Sequence, residues 1–436
     1  MRYTYRRGFF WLSIFILIAL VPLGLALIGE IPLYRSFWIE FGVAMGFIAL
    51  SLFGLQFLFS GRFNWVAPTY GMDNIIQYHR ELGIIAFLFL LAHPFTLILK
   101  NQAYLAYFDP RVNLMRAIAL NYVSLGVIAI IATSIWRTSF KLNYEKWRLL
   151  HGFLALSIIF VGVVHSIQVG HYLDPLWKKI ALAAFMALFA YLTIHTRIVR
   201  PWLNKKYPYK VVEVKEEIGD CHSLTLAPNG HKKLEYIPGQ FAWISICDTP
   251  FTLQQHPFSF ASSARDNTIT FTAKAMGDFT GSWKKIKKGR KAFLEGPFGS
   301  FTPEEDSHLF LLMGGIGVTP CMSMLRTMRD DKDPRKAILI YANKDWDDIT
   351  FREELDELCG QINLTVIHVL EKTPKDWKGE EGFVDQDMLK KYLPDKPNEW
   401  MYFLCGPMPM MDIGEESLRN LGVDWHRIYS ERFEIV

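Results

Sequence analysis

Cysteine is scarce and one-sided. Only five occur, Cys221, Cys247, Cys321, Cys359 and Cys405, all in the second half of the 436-residue chain. No CxxC pair is present, so neither a zinc ribbon nor a disulfide framework is encoded, and free thiols suit a reducing cytosol. Acidic residues are also rare in the first half: residues 1–206 hold 7 Asp and Glu against 19 Lys and Arg, while the rest holds 36 against 28. The sequence has no internal repeat, no low-complexity tract, no EF-hand pattern and no GxGxxG fingerprint. The basic residues of the first half lie between long apolar runs, which argues against nucleic-acid binding and for a role as membrane topology signals.

Six apolar segments are present, at about 9–28, 37–59, 78–99, 118–136, 149–169 and 179–199, each near the ~20 residues that cross a bilayer. Arg2, Arg6 and Arg7 before the first could open a signal peptide. The run is too long for that and lacks a small-residue cleavage site, so it reads as a membrane span. Arg137, Lys141, Lys146 and Arg148 follow the fourth segment, and Arg197, Arg200, Lys205 and Lys206 close the sixth. The positive-inside rule then predicts a multi-pass protein of the cell membrane with both termini in the cytoplasm. Lys100, Arg111 and Arg116 on the opposite side weaken that bias without reversing it.

The texture changes near Tyr207. Short β-rich runs, "YKVVEV", "QFAWISI" and "TITFTAKA", alternate with Gly, Pro and Asp as in a small β-barrel. From Ser307 the strand-like "LFLLM", "AILIY", "LTVIHVL" and "MYFLC" alternate with helical stretches, the rhythm of a parallel α/β domain. The expected architecture is a six-helix transmembrane bundle (1–202), a cytosolic β-barrel (207–303) and an α/β nucleotide-binding domain (307–436).

Four histidines lie inside apolar segments: His79 and His93 in the third, His151 and His165 in the fifth. Both pairs are 14 residues apart, which keeps each on one helix face and separates its members by about 21 Å. The two segments run in the same direction, so His79 shares a depth with His151, and His93 with His165. Two facing imidazoles at each of two depths suit two b-type haems, with these four histidines as iron ligands. Gly83, Ala86, Ala155 and Gly162 leave room for the rings. Polar contact between helices is the alternative role for such histidines. His171 and His195 lack equivalent partners and receive no ligand role.

The string "HPFSFASS" resembles the flavin segment of the ferredoxin-reductase-like family, in the variant found in NADPH oxidases and ferric reductases. The resemblance implies FAD beside His256, Pro257, Phe258 and Ser259, with the Ser259 hydroxyl near the flavin N5. "KAMGDFTGS" is similar to the family's pyrophosphate segment and implies FAD contacts from Lys274, Gly277, Asp278, Phe279 and Thr280. "EGPFGSF" resembles a hinge motif toward the nucleotide domain. "FLLMGGIGVTP" resembles the GxGxTP turn, implying that Gly314, Gly315, Gly317, Thr319 and Pro320 meet NADPH or NADH. "FLCGPMPMM" resembles the CGP segment, with Cys405, Gly406 and Pro407 near the nicotinamide. "YSERFEIV" resembles the closing strand, where Phe433 would cover the flavin. Ser259, Cys405 and Phe433 are the residues at the hydride-transfer step.

The resemblance to the NADPH oxidase and ferric reductase superfamily covers nearly the whole chain. It implies electron flow from cytosolic NAD(P)H through FAD and two haems to an outside acceptor, with O2 giving superoxide. A ferric or other metal-chelate reductase, or a donor to an extracytoplasmic protein, is the alternative. Superoxide-forming oxidases usually carry a second histidine where this chain has Leu97, and Arg35 is a candidate charged neighbour of outer haem or oxygen. A six-span transporter or haem sensor with a regulatory reductase-like domain is the reading of another class. No regulatory subunit or nucleic-acid partner is expected.

NADPH-preferring relatives commonly place Arg in the strand-end segment that meets the adenosine ribose, where this chain has Asn343 and Lys344. Lysine attracts a 2′-phosphate as a point charge without gripping it bidentately. Both NADH and NADPH should therefore support flavin reduction, with kcat/KM differing by less than about tenfold, or 1.4 kcal/mol. A hundredfold preference would mean that other residues read the dinucleotide.

Overall fold

The computed structural model describes residues 4–63 and 72–432. They divide into two compact units, a helical one up to Arg200 and a second from Pro201 onward.

Among the described residues, the helical unit contains six long helices: α1 (Thr4–Leu27), α2 (Phe37–Ser60), α3 (Met72–Lys100), α4 (Leu114–Ile135), α5 (Tyr144–Val169) and α6 (Leu176–Ile194). All six are long and apolar enough to cross a membrane, and each overlaps one of the apolar segments read from the sequence. A helix suits this solvent because every backbone N–H and C=O is satisfied within the segment. Polar residues extend and cap the starts of two of them. Asn143 accepts from the N–H groups of Glu145 and Lys146 to start α5, and Asn113 accepts from Arg116 N–H to start α4. At the other end of α6, a π turn (His195–Val199) leads into Arg200–Asn204. Arg200 donates to the carbonyls of Gly61 and Arg62 just past the end of α2, each at 3.0 Å.

The second unit holds two sheets. The first is antiparallel, in the order β4-β3-β6-β1-β2-β5, with β1 Tyr209–Glu217, β2 Cys221–Pro228, β3 Phe241–Ser245, β4 His256–Ser259, β5 Ile269–Lys274 and β6 Lys291–Phe298. A bridge between Phe260 and Phe271 curls its edges together around Leu224, Ile244, Phe260 and Trp283. The second sheet runs β10-β9-β8-β7-β11-β12 and its pairings are parallel, with β7 His308–Gly314, β8 Ala337–Asn343, β9 Leu364–Leu370, β10 Glu380–Glu381, β11 Trp400–Cys405 and β12 Ile428–Ser430. Along β7, Leu309, Leu311 and Met313 pack into one core with α7 (Thr319–Asp330) and α8 (Arg352–Cys359). Phe310 and Leu312 pack into the opposite core with α9 (Gln386–Tyr392) and α10 (Met408–Asn420). Helices cover both faces, which is why these strands read as unbroken apolar runs without alternation.

α7 also clamps the barrel to the parallel domain. Arg326 holds Glu354 bidentately at 2.7 and 2.6 Å and donates to the Ala261 carbonyl at 2.6 Å. Ser323 Oγ donates to the Ser262 carbonyl at 2.8 Å. Gly239, in the turn before β3, tightens the same seam: its φ is +92° and a Cβ there would collide with the Phe301 carbonyl and the Met324 side chain. Gly239→Ala should destabilise this unit by about 2 kcal/mol or more, through strain at positive φ plus the collision. Thermal release of flavin fluorescence from the full-length protein checks this, and an unchanged midpoint would show that the seam relaxes freely.

Candidate functional site

In the helical unit the four histidines meet in two pairs. The ring centroids of His79 and His151 are 6.2 Å apart, and those of His93 and His165 are 6.4 Å apart. Metal–nitrogen bonds of about 2 Å on opposite sides of one ion put ring centroids roughly 6 Å apart, so both gaps fit an iron with two trans imidazoles. No cluster of three or more His, Cys, Asp or Glu able to hold a bare metal ion occurs among the described residues. His93 and His165 open onto a cavity of about 380 Å³ lined largely by apolar side chains from α2 to α5, among them Leu50, Val127, Ile158 and Gly162.

Neighbouring groups orient these rings. His93 Nδ1 donates to the carbonyl of Gly42 at 2.8 Å, which leaves the lone pair on Nε2. Gly42 and Gly46 make that approach possible: a Cβ on Gly46 would lie 2.8 Å from His93 Nδ1, and one on Gly42 would strike Thr96 Oγ1. Ser134 Oγ gives its proton to the Ile130 carbonyl at 2.6 Å and lies 3.4 Å from His151 Nδ1, positioned to accept from it. The carboxamide of Gln56 lies 2.7 Å from His79 Nδ1. None of Gly42, Gly46, Gln56 or Ser134 was singled out by sequence reading. Gln56 carried a usable signal, a lone amide inside an apolar span.

Arg35 binds Glu40 through Nε and Nη2, both at 3.1 Å, and Tyr172 donates its hydroxyl proton to the same carboxylate. Burial, and then the Glu40 hydrogen bond, push the Tyr172 phenol up to about 12. Arg35 lines the cavity as part of this paired cluster, not as an isolated cation. His171 lines it too, and burial followed by the Arg35 charge keeps that imidazole below its ordinary value.

In the second unit, β4 carries His256–Ser259 and pairs with β3, Ser259 opposite Phe241 and His256 opposite Ile244. The strand meets the helical turn Asp278–Gly281: the rings of His256 and Phe279 stack at 4.3 Å, and Phe258 lies 6.1 Å from Phe279. Two segments separated in sequence thus form one surface. Ser259 Oγ is buried with no hydrogen-bond partner, which fits a polar group of a bound ligand. Thr280 Oγ1 accepts from the N–H groups of Met276 and Gly277, tying up Gly277 within its own turn. Lys274 pairs with Asp348 at 3.3 Å across the seam to the parallel domain.

The glycine turn leaves β7 as a 3-10 turn (Gly315–Val318) and enters α7 at Thr319, with Pro320 in its first turn. Gly315 has φ +52°, and a Cβ on Gly317 would lie 2.5 Å from the Cys405 carbonyl. Close packing here aligns the ends of β7 and β11, where the strand order reverses, the usual ligand crevice of such sheets. Gly314, Gly317, Cys405, Gly406 and Pro407 are all brought together there. Asn343 is buried at the end of β8 with neither carboxamide atom hydrogen-bonded, and Lys344 beside it is exposed. Phe433 lies outside the described residues. Burial, and then the Glu431 charge, push the Cys405 thiol well above its ordinary value, so it is a neutral thiol. Cys405 should therefore resist iodoacetamide at about pH 7.5, while exposed Cys359 reacts. Peptide mass spectrometry of native and denatured protein reads this, and equal labelling of Cys405 and Cys359 in the native state would refute it.

Three families match consecutive stretches of the chain. They are described as ferric reductase like transmembrane component (45–162), FAD-binding domain (190–302) and oxidoreductase NAD-binding domain (311–416). The ferredoxin reductase component of 3-ketosteroid-9-alpha-monooxygenase from Rhodococcus rhodochrous is 33% identical over 247 residues, 55% of this chain and 68% of that protein. NADH-cytochrome b5 reductase 1 from Neosartorya fischeri is 30% identical over 175 residues, 38% of this chain and 57% of that protein. The chain therefore spans little more than half the length of that reductase. A flavohemoglobin from Malassezia yamatoensis, solved with bound FAD and heme, shares the fold at 18% identity. Its TM-score is 0.50, over 91% of this chain and 99% of that one. With a ferric-reductase-like multi-pass membrane half followed by ferredoxin-reductase-like FAD- and NAD-binding domains, the chain belongs to the NADPH oxidase and ferric reductase superfamily.

Proposed function

We propose that this protein carries electrons from cytosolic NAD(P)H, by way of FAD and two b-type haems, to dioxygen on the far side of the membrane. The observation that carries the reading is the pair of imidazole gaps, 6.2 and 6.4 Å, at two depths of one apolar bundle. His79 with His151, and His93 with His165, are the proposed axial ligands. The domain limits 1–202, 207–303 and 307–436 assign one part of the relay to each region. The basic residues of 137–148 and 197–206 support cytoplasmic termini.

Bound FAD supplies exchange between a two-electron hydride and single electrons, and bound haem iron supplies a one-electron relay. The protein's own part is binding, orientation and exclusion of side reactions. The turn after β7 and the CGP segment after β11 hold the dinucleotide at the sheet's switch point. The unpartnered Ser259 hydroxyl would donate to a bound flavin, and His256, Phe258 and Phe279 would form the wall that holds it. Cys405, as a neutral thiol, packs near the nicotinamide without competing as a nucleophile. In the membrane, Gly42 and Ser134 receive Nδ1 protons and keep Nε2 free to ligate.

One observation favours a second reading of the acceptor. Leu97 is buried at the cavity wall, where superoxide-forming relatives carry a histidine, and Arg35 is neutralised by Glu40. Both features suit an acceptor other than dioxygen, such as a ferric chelate. Reduction by NADH in air and under argon, with superoxide trapping in one and ferric chelate in the other, separates the two.

The test of the relay is optical. Purified protein should show flavin bands and two equivalents of low-spin haem that bleach on addition of NADH. His79→Ala should lose one haem and stop reduction of the other by NADH, while flavin reduction persists. Two full haems in that variant would exclude the ligand assignment.

A further inference from the structure

Positive charge crowds one turn of the barrel. Of residues 283–291, six are cationic (Lys284, Lys285, Lys287, Lys288, Arg290 and Lys291) and none is acidic, in a half of the chain that is acidic overall. All six are exposed. Among the described residues only Arg290 has an ion pair, with Asp248 at 3.1 Å. A run of six like charges ordinarily repels itself into an unstructured tail. Here it is held to one surface: Trp283 is wholly buried, Ile286 packs against the same barrel core, and Gly289 N–H donates to the Val211 carbonyl at 2.7 Å.

Apolar side chains stand beside these cations. The loop between β3 and β4 lies against the turn, through the Asp248–Arg290 pair and through Ile246 and Gln254, which line one cavity with Lys285, Lys287 and Arg290. That loop exposes Phe251 and Leu253. The course of the chain puts the turn near lipid. The last apolar stretch runs to Asn204, whose side-chain amide donates to the Leu294 carbonyl of β6 at 2.9 Å. Leu294 is three residues past Lys291, about 10 Å along a strand. Lys210 pairs opposite Lys291, and exposed Trp202, Lys205, Lys206 and Tyr207 surround the junction. Trp and Tyr beside lysines are the residues that mark a span's end at headgroup level.

We propose that the turn 283–291, together with Phe251 and Leu253, is a docking surface for anionic phospholipid. The lysines meet headgroup phosphates, and the two apolar side chains enter the boundary between headgroups and acyl chains. Each lysine near such a surface adds attraction that salt screens, and each buried apolar side chain adds attraction that salt does not. Lipid is favoured over an acidic protein because the membrane begins within a few residues of the patch. The inference needs the membrane helices alone and is independent of the haem reading.

Full-length protein is placed in nanodiscs of phosphatidylcholine, alone or mixed with phosphatidylglycerol, and acetylated briefly with an N-hydroxysuccinimide ester. Peptide mass spectrometry compares Lys284, Lys285, Lys287 and Lys288 with exposed Lys332 of the parallel domain. In neutral discs the four should label as fast as Lys332. In anionic discs their labelling should fall by about fivefold or more, the effect of a single cation at an anionic surface. High salt should restore it. Lys284→Glu combined with Lys288→Glu should abolish the protection of Lys285 and Lys287, and Phe251→Ser should let it vanish at lower salt. Retained flavin absorbance shows that each variant has folded. Fast labelling in both kinds of disc would overturn the inference. Slow labelling in both would overturn it too, and would assign the covering surface to protein. Protection that survives the double charge reversal would also sink it.

Discussion

A neutral imidazole offers a lone pair on one ring nitrogen only, and a neighbouring acceptor decides which one. At His93 the acceptor is the backbone carbonyl of Gly42, on a different helix. The contact requires α2 and α3 to approach so closely that side chains at Gly42 and Gly46 would collide with Thr96 and His93. Two glycines four apart in an apolar helix thus do two things: they let the backbones meet, and they expose a carbonyl to the ring. The separation of His93 from His165, and the cavity beside them, follow from that helix approach.

At the other pair the two rings are held differently, Ser134 accepting at His151 Nδ1 and the Gln56 amide donating to His79 Nδ1. Ser134 on α4 faces His151, and Gln56 on α2 faces His79. Both polar residues sit in apolar helices, where an unmatched polar group would be costly. Near the cavity's outer end, Arg35, Glu40 and Tyr172 form a closed network that leaves little free charge facing the cavity.

The second unit brings the β4 surface and the glycine turn together in one compact unit. Its barrel and parallel sheet are joined by α7, the helix that also begins at the glycine turn. Arg326, Ser323 and Thr327 on that helix all bond to the segment 261–264 just after the flavin strand. A helix that both starts at the glycine turn and bonds to the segment after β4 ties the spacing of these two surfaces to one element. Close packing of Gly317 against the Cys405 carbonyl does the same for the two halves of the dinucleotide crevice.

Much of this was written in local pattern. Six apolar runs, the 14-residue histidine interval, and the change from β-rich to α/β texture follow from helix length, helix period and strand period, which depend only on neighbours in the chain. The pairing of His79 with His151 and of His93 with His165 was legible for the same reason, because two co-directional helices with equal spacing leave no other match in depth. What lay beyond the sequence were contacts made between elements: Gly42 under His93, Ser134 beside His151, Phe279 stacked on His256, Glu40 neutralising Arg35, and Arg326 bound to Glu354. Each joins residues whose separation along the chain carries no period. Which helix faces which, and at what distance, is set by side-chain volumes meeting across an interface, and only the folded chain decides that.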